Sequence, residues 1–228
     1  MSIFQSMAAN CPACGTENMV EVAASVNADR RPDLRQQIID GTFQTVHCQS
    51  CGTNFRLQPS FTYIDVGRRL WILAHPIDDL TQWQTLENEA RTVFDTAYGS
   101  GAPKIARELG ATLAARIVFG WPAMREKLVC HAAGLDDIEL ELLKLAVVRD
   151  VQNAPLADGS ELRLDRAEDD ALVFAWLDSS TEEVLKTLRA PRAAYGELAE
   201  DPAAWAALRG RLAGQLFVDV NRLLIVAG

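Results

Sequence analysis

Two short cysteine motifs near the start of the chain constrain its fold more than any other feature. Residues 11–15 read Cys-Pro-Ala-Cys-Gly, and residues 48–52 read Cys-Gln-Ser-Cys-Gly. Two residues between a pair of cysteines form a tight turn that directs both thiolates to one position, and the glycine that follows lets the backbone amides turn toward sulfur. Two such turns supply four sulfur ligands, the set that binds tetrahedral zinc with Zn–S bonds of about 2.3 Å.

The spacing of the cysteines predicts a closed, structural metal site. Cys11, Cys14, Cys48 and Cys51 fill all four positions and leave none for water, so we expect structural Zn²⁺ rather than a catalytic ion. The 33 residues between Cys14 and Cys48 exceed the roughly 15–20 of a compact site. A short helix over 33–41, opened by proline and closed by glycine, accounts for the surplus. A rubredoxin-like iron centre is the minor alternative, with a redox dithiol and disulfides as further ones.

The rest of the first 151 residues alternates strand and helix patterns. Period-two alternation and turn residues predict strands at 19–26, 61–65, 69–74 and 113–119, the second and third forming a hairpin. Apolar residues at helical spacing predict helices over 78–98 and 122–133, and Asp136 with Glu139 resembles a capping box that opens a helix to about residue 151.

The last third predicts a smaller α+β lobe. Residues 161–165 and 172–177 read as a hairpin across an acidic turn, and Ser180 with Glu183 predicts a capped helix through 188. Asp201 followed by proline predicts another helix start. Residues 217–225 fit a closing strand or a helix.

These patterns together predict an α+β protein, a zinc ribbon with an inserted short helix joined to a mixed sheet and helices. We expect a zinc-ribbon-containing domain over 1–151 and a C-terminal α+β lobe over 152–228, either separate or sharing one core with the first domain.

Charge is distributed unevenly along the chain. The 228 residues carry 22 Lys and Arg against 31 Asp and Glu, a net charge of -9, but residues 1–75 are neutral and the whole excess lies in 76–228. A general nucleic-acid binder relies on cations to displace counterions from phosphate, so this balance disfavours one. A nucleic-acid-associated ribbon stays an alternative through its arginines, namely Arg30, Arg31, Arg35, Arg68 and Arg69.

The sequence indicates a cytoplasmic protein. The first ten residues lack the basic and apolar regions of a signal peptide, and no stretch approaches 18 apolar residues, so we expect no membrane segment. Paired Cys-x-x-Cys motifs are typical of metal binding in a reducing compartment.

Other reactive residue types have simpler structural explanations. Cys130 and His131 are neighbours, about 100° apart on a helix, and so cannot face each other as a catalytic pair. Asp136 is explained as a helix cap. Tyr63 and Asp65 share one face of a strand, which fits a hydrogen-bonded corner, with a binding surface as the alternative.

Several segments together resemble the bacterial CpXC domain over about residues 9–150. They are the two cysteine motifs with the helix between them, Phe-Thr-Tyr-Ile-Asp at 61–65, Arg-Glu-Lys-Leu at 125–128, Gly-Leu-Asp-Asp at 134–137 and Glu-Leu-Leu-Lys at 141–144. The second motif has glutamine in place of the proline that names the family. The resemblance implies a presumed zinc-binding domain with its metal at the four cysteines, and it implies no reaction.

The function we expect is a zinc-stabilised scaffold whose partner is another protein. An enzyme whose site is assembled only in the folded chain and a nucleic-acid-associated ribbon are the alternatives.

Overall fold

The chain divides into two units, Met1–Trp121 and Pro122–Gly228. The structure is a computed structural model that describes residues 1–151 and 159–223.

The first unit contains a five-stranded mixed sheet in the order β1-β2-β5-β6-β7 and a two-stranded sheet of β3 and β4. Neighbouring strands are antiparallel except for β2–β5 and β6–β7. The strands are β1 (Ile3–Asn10), β2 (Glu17–Asn27), β3 (Thr45–His47), β4 (Asn54–Arg56), β5 (Phe61–Asp65), β6 (Leu70–His75) and β7 (Ala114–Phe119). The helices are α1 (Pro32–Ile39), a 3₁₀ helix (Ile77–Gln82), α2 (Trp83–Tyr98) and α3 (Lys104–Gly110).

Helix α1 is the short helix expected between the cysteine motifs. Pro32 occupies its first turn, where the missing N–H costs no hydrogen bond. Leu34 and Ile38, one turn apart, are buried, and Gly41 just after the helix has φ +74°. The insertion therefore adds to the core of the unit as well as separating the two motifs.

The second unit is built on a three-stranded antiparallel sheet in the order β10-β9-β8. Its elements are α4 (Gly120–Ala132), which begins in the last two residues of the first unit, α5 (Asp137–Asp150), β8 (Ser160–Ala167), β9 (Ala171–Asp178), β10 (Val184–Pro191), α6 (Arg192–Glu200), α7 (Ala206–Leu212) and a 3₁₀ helix (Val220–Leu223). The central strand β9 is buried along nearly its whole length, and Phe174 and Trp176 join Leu142 and Leu212 in one apolar core.

The predicted α+β class is confirmed, but the division between units falls earlier than the boundary expected at 151/152. Helix α5 contacts α6 and α7, and Cys130 of α4 lies in the core beneath the second sheet. Both helices therefore belong to the second unit.

One predicted helix is wrong. Ser180 and Glu183 do not open a helix through 188, because the chain turns and enters β10, which pairs with β9. The carboxylate of Asp178 accepts hydrogen bonds from the backbone amides of Ser180 and Thr181, both at 2.9 Å, and so fixes a tight turn. The segment then gains a ladder of backbone hydrogen bonds along a buried strand.

Smaller differences concern the ends of elements. The helix expected over 78–98 starts as the 3₁₀ helix, and that expected at Asp201 starts only at Ala206 after a turn. The described part of 217–225 is neither strand nor α-helix but an irregular stretch followed by the second 3₁₀ helix, and residues 224–225 lie outside the described residues. Strand β1 and helices α3 and α6 lie where no element was predicted.

Candidate metal centre

The two cysteine motifs fold into the same knuckle. In each, the first cysteine's carbonyl accepts the N–H of the glycine four residues later, at 2.8 Å for Gly15 and 2.9 Å for Gly52. The first cysteine's own N–H donates to the carbonyl five residues on, at 2.9 Å in both. The two glycines have φ +73° and +75°, a region that other residues enter only with strain. The conformation expected of the glycines is thus present in both knuckles.

The four thiols form one cluster with tetrahedral spacing. Sγ of Cys11 lies 3.7 Å from Sγ of Cys51, and Sγ of Cys14 lies 3.7 Å from Sγ of Cys48. All four sulfur atoms lie within 4.8 Å of one another. Four Zn–S bonds of about 2.3 Å in a tetrahedron place the sulfurs about 3.8 Å apart. The donor set and its spacing therefore fit a metal ion held by thiolates, and the separations exceed that of a disulfide bond.

Asn18 connects the two knuckles. Its side-chain amide donates to the carbonyl of Thr16 at 2.8 Å and lies 3.8 Å from Sγ of Cys48, while its Oδ1 accepts the N–H of Gln49 at 3.4 Å. One side chain of β2 thus contacts both halves of the site.

Local hydrogen bonds and burial set different acidities for the thiols. The Thr16 hydroxyl, 3.3 Å from Sγ, lowers the pKa of Cys14 to about 6, and the backbone amide of Cys51 lowers the pKa of Cys48. Burial raises the pKa of Cys11 to about 11. Metal binding requires thiolates, so it releases protons at neutral pH, Cys11 contributing one of them.

His47, next to Cys48, is not a fifth candidate ligand. Its Nδ1 pairs with Oδ1 of Asn54 across the β3–β4 ladder at 2.8 Å. It also lines an open groove of about 440 Å³ beside the knuckles, together with Glu17, Met19 and Gln49.

The arginines considered for nucleic-acid binding are partly held by acidic side chains. Arg31 contacts Asp33 at 2.6 Å, and Arg35 contacts Asp65 at 3.3 Å. Asp65 is buried and also accepts the Tyr63 hydroxyl at 3.1 Å and the backbone N–H of Arg68 at 3.1 Å. Tyr63 and Asp65 thus form a buried, hydrogen-bonded corner rather than a binding surface, and burial raises the pKa of Tyr63 well above its usual value.

The second unit contains a buried charge cluster that the sequence reasoning missed. Each member is at most 5% exposed. The cluster consists of Glu126, Lys127, Asp137, Glu141, Lys144, Glu161, Arg163 and Asp219.

Two basic residues lie at the centre of the cluster. Nζ of Lys144 contacts Oε2 of Glu126 at 3.0 Å and Glu141 at 2.9 Å. Arg163 reaches Oε2 of Glu126 at 2.9 Å and Oδ2 of Asp219 at 2.6 Å. Glu126 also accepts the backbone N–H of Leu164 at 2.6 Å, so its carboxylate joins α4 to β8 and α5.

The cluster also binds the backbone that follows α7. Lys127 contacts Asp137 at 3.0 Å and donates to the carbonyl of Val218 at 2.6 Å. Glu141 accepts the N–H of Val220 at 2.9 Å. This segment has no strand partner among the described residues, and these charged side chains satisfy its polar groups.

The cluster contains five carboxylates and three cations. Burial, with Asp219 and Glu126 nearby, raises the pKa of Glu141 to about 7 in spite of its two lysines. Burial acts on Asp219 in the same direction, but Arg163, the two lysines and the backbone N–H of Asn221 together outweigh it and bring the pKa of Asp219 below its usual range. Protonation of Glu141 thus removes part of the excess negative charge of the cluster.

A weak signal for this cluster exists in the sequence. Asp137, Glu141 and Lys144 lie at i, i+4 and i+7 and so share one helix face. Leucines occupy the sequence positions next to Glu141 and Lys144. Charged residues on a helix are usually solvated, and only the tertiary packing of α5, which contacts α6, α7 and the 3₁₀ helix Val220–Leu223, shows that these are not. Asp136 is a helix cap as expected, but Glu139 pairs with Arg209 at 2.6 Å instead of completing a capping box.

Among the comparisons with known proteins, one gives a match, and it is to the model of a protein family. No curated protein and no solved structure matches the chain. No helix of the described residues is both long and apolar enough to cross a membrane. The model of the CpXC protein family matches residues 9–144, which include all four clustered cysteines and end at Lys144 of the buried charge cluster. With more than half of its length matched, including the whole cysteine cluster, the chain belongs to the CpXC protein family.

Proposed function

We propose that this chain is a protein-interaction module whose N-terminal unit is stabilised by a structural zinc ion. Cys11, Cys14, Cys48 and Cys51 would hold the ion as thiolates, and the ion would supply folding energy rather than a reactive position. The observation that carries the metal assignment is the tetrahedral spacing of four sulfurs with every ligand position filled by the chain. A reducing cytoplasm fits a site made of four free thiols.

The interaction half of the proposal is supported by the surface next to the metal centre. Met7 and Met19 of the β1–β2 hairpin are 49% and 70% exposed, and the groove beside the knuckles combines apolar and polar lining. Methionine is common at surfaces that bind other proteins because its side chain adapts to the partner.

Metal analysis of protein purified without added metal tests the zinc assignment. We expect one equivalent of zinc per chain, lost in the Cys11→Ser and Cys48→Ser variants but retained in Cys130→Ser, whose thiol is buried outside the cluster. One equivalent of iron with a red colour would instead support the rubredoxin-like iron centre and contradict the zinc assignment. No stoichiometric metal would contradict both.

Co-purification tests the interaction role. A tagged chain is compared with its Met19→Lys variant, and Ile105→Lys serves as the control because Ile105 is an apolar side chain on α3 that is at least as exposed as Met19. We expect the proteins retained by the wild type to be retained by Ile105→Lys and lost from Met19→Lys. Identical protein sets for all three chains would contradict the use of this surface.

A further inference from the structure

Strand β1 presents an open edge of the five-stranded sheet. It pairs with β2 on one side, and among the residues that the structure describes no strand pairs with its other side. Six of its eight residues are exposed, whereas β7 at the opposite edge is mostly buried and contacts α2. An exposed edge offers a row of N–H and C=O groups that a further extended strand can satisfy.

The edge lacks the features with which proteins usually block strand addition. Residues 3–10 read IFQSMAAN, without a charged side chain or a proline, and the one bulge of the ladder lies at its start between Ile3 and Phe4. Every other described strand carries at least one ionisable side chain. The nearest carboxylate, that of Glu21 on β2, is in contact with the hydroxyl of Ser6.

Exposed apolar side chains concentrate around this edge. Nine large hydrophobic residues of the described chain are exposed, and four of them belong to the hairpin or its start: Met1, Ile3, Met7 and Met19. Such a concentration of apolar surface next to unpaired backbone marks an interaction site.

We propose that β1 is a self-association edge at which two copies of this chain pair antiparallel, β1 against β1, and join their sheets into one. This inference rests on the proposed interaction function and names the partner as a second copy. A twofold axis through Met7, near the middle of the strand, places this side chain directly opposite its symmetry mate.

Charge favours a second copy as the occupant. Residues 3–10 carry no charged side chain, so β1 against a second β1 places no like charges directly opposite each other. The side chains of residues 1–75 sum to no net charge, and four thiolates with one Zn²⁺ bring this region to -2, so the pairing region carries only a small part of the negative charge of the chain.

Sedimentation equilibrium of the zinc-loaded chain tests the proposal over about 1 to 100 μM. We expect a mass that rises toward twice the 25.0 kDa of one chain. Met7→Lys places two ammonium groups together across the twofold axis and should raise the dimer dissociation constant at least about tenfold. Ile105→Lys adds the same charge on α3 and should leave the constant unchanged.

The outcomes separate this inference from the function on which it rests. Gln5→Lys, at another exposed position of β1, replaces Met7→Lys if that variant loses zinc. A one-chain mass at every concentration, or equal dissociation constants for the β1 variant and Ile105→Lys, would overturn the self-association edge. A zinc-loaded monomer that still retains other proteins in the co-purification would leave the proposed function standing.

Discussion

At the scale of single residues, Lys144 shows how much depends on one buried ammonium group. It is 1% exposed and lies between the carboxylates of Glu126 and Glu141, which are fully buried. Removing one partner of a buried ion pair leaves an uncompensated charge without water to solvate it. Removing the ammonium group of Lys144 while both carboxylates remain is therefore expected to destabilise the second unit.

We expect Lys144→Met to lower the free energy of unfolding by about 3–5 kcal/mol. Lys104→Met is the matched control, because Lys104 pairs with Glu108 at 3.7 Å while both side chains remain largely exposed. The control should cost less than about 1 kcal/mol. Urea unfolding followed by tryptophan fluorescence measures both, and equal losses would show that the cluster is not a tight ion-pair network.

Glu141 makes the stability of the second unit depend on pH. Its pKa of about 7 in the folded chain lies above the value of about 4.3 expected when the chain is unfolded. The folded chain therefore holds a proton that the unfolded chain releases between these values, and this contribution to stability decreases as pH rises from about 4.3 to 7.

We expect Glu141→Gln to remove this dependence while keeping an oxygen for the N–H of Val220. The free energy of unfolding of the variant minus that of the wild type should therefore be larger at pH 8 than at pH 5. Urea unfolding of both proteins across this range gives the comparison, with Glu139→Gln, whose carboxylate pairs with Arg209, as the control. A constant difference between wild type and Glu141→Gln would contradict the raised pKa.

At the scale of elements, short knuckles and turns determine the course of the backbone more than helical or strand propensity does. The two cysteine knuckles rest on glycines at positive φ, and the turn after β9 rests on the carboxylate of Asp178. Four hydrogen bonds from Ser180 and Thr181 lower the pKa of Asp178 to about 2. A local acceptor two residues earlier thus prevents the helix that Ser180 and Glu183 would otherwise open.

We expect Gly15→Ala and Gly52→Ala each to weaken metal binding about tenfold, since an alanine at this φ costs roughly 1–2 kcal/mol and metal binding would be coupled to the folding of the knuckle. No atom within 4 Å would meet the added methyl group, so backbone strain alone is tested. Gly101→Ala is the control, because that site is equally open and lacks a positive φ. Competition with a chromophoric chelator measures the affinities, and equal values would contradict the role of the glycines.

At the scale of the whole molecule, the four clustered cysteines and the buried charge cluster lie in different units. The four cysteines belong to Met1–Trp121, and all members of the buried charge cluster belong to Pro122–Gly228. Each unit has its own core, one around Phe43, Phe61 and Trp121 and the other around Phe174 and Trp176. The loss of metal should therefore act mainly on the first unit.

We expect chelation to accelerate amide hydrogen exchange in β3, β4 and the two knuckles, because the ion links them, and to leave β9 protected. Exchange measured by mass spectrometry with and without chelator gives the comparison. Equal acceleration in β9, or none in β3 and β4, would contradict a metal role confined to the first unit.

The sequence by itself predicted the cluster of four cysteines and most of the elements, because these depend on local chemistry. Two-residue spacing, the glycines and the proline before α1 act within a few residues of one another, so the knuckles and the helix between them follow from short stretches of sequence. The same is true of the β5–β6 and β8–β9 hairpins, whose alternation is visible in the chain.

Tertiary structure alone decided what distant residues do together. Glu126, Arg163 and Asp219 are far apart in sequence, and only packing removes them from water and makes their pairing matter. Pairing with the adjacent strand also made a strand of 184–191 and an exposed edge of β1, since a strand exists only with its neighbour. The unit boundary moved to 121/122 for the same reason, because α4 and α5 bury their apolar faces within the second unit.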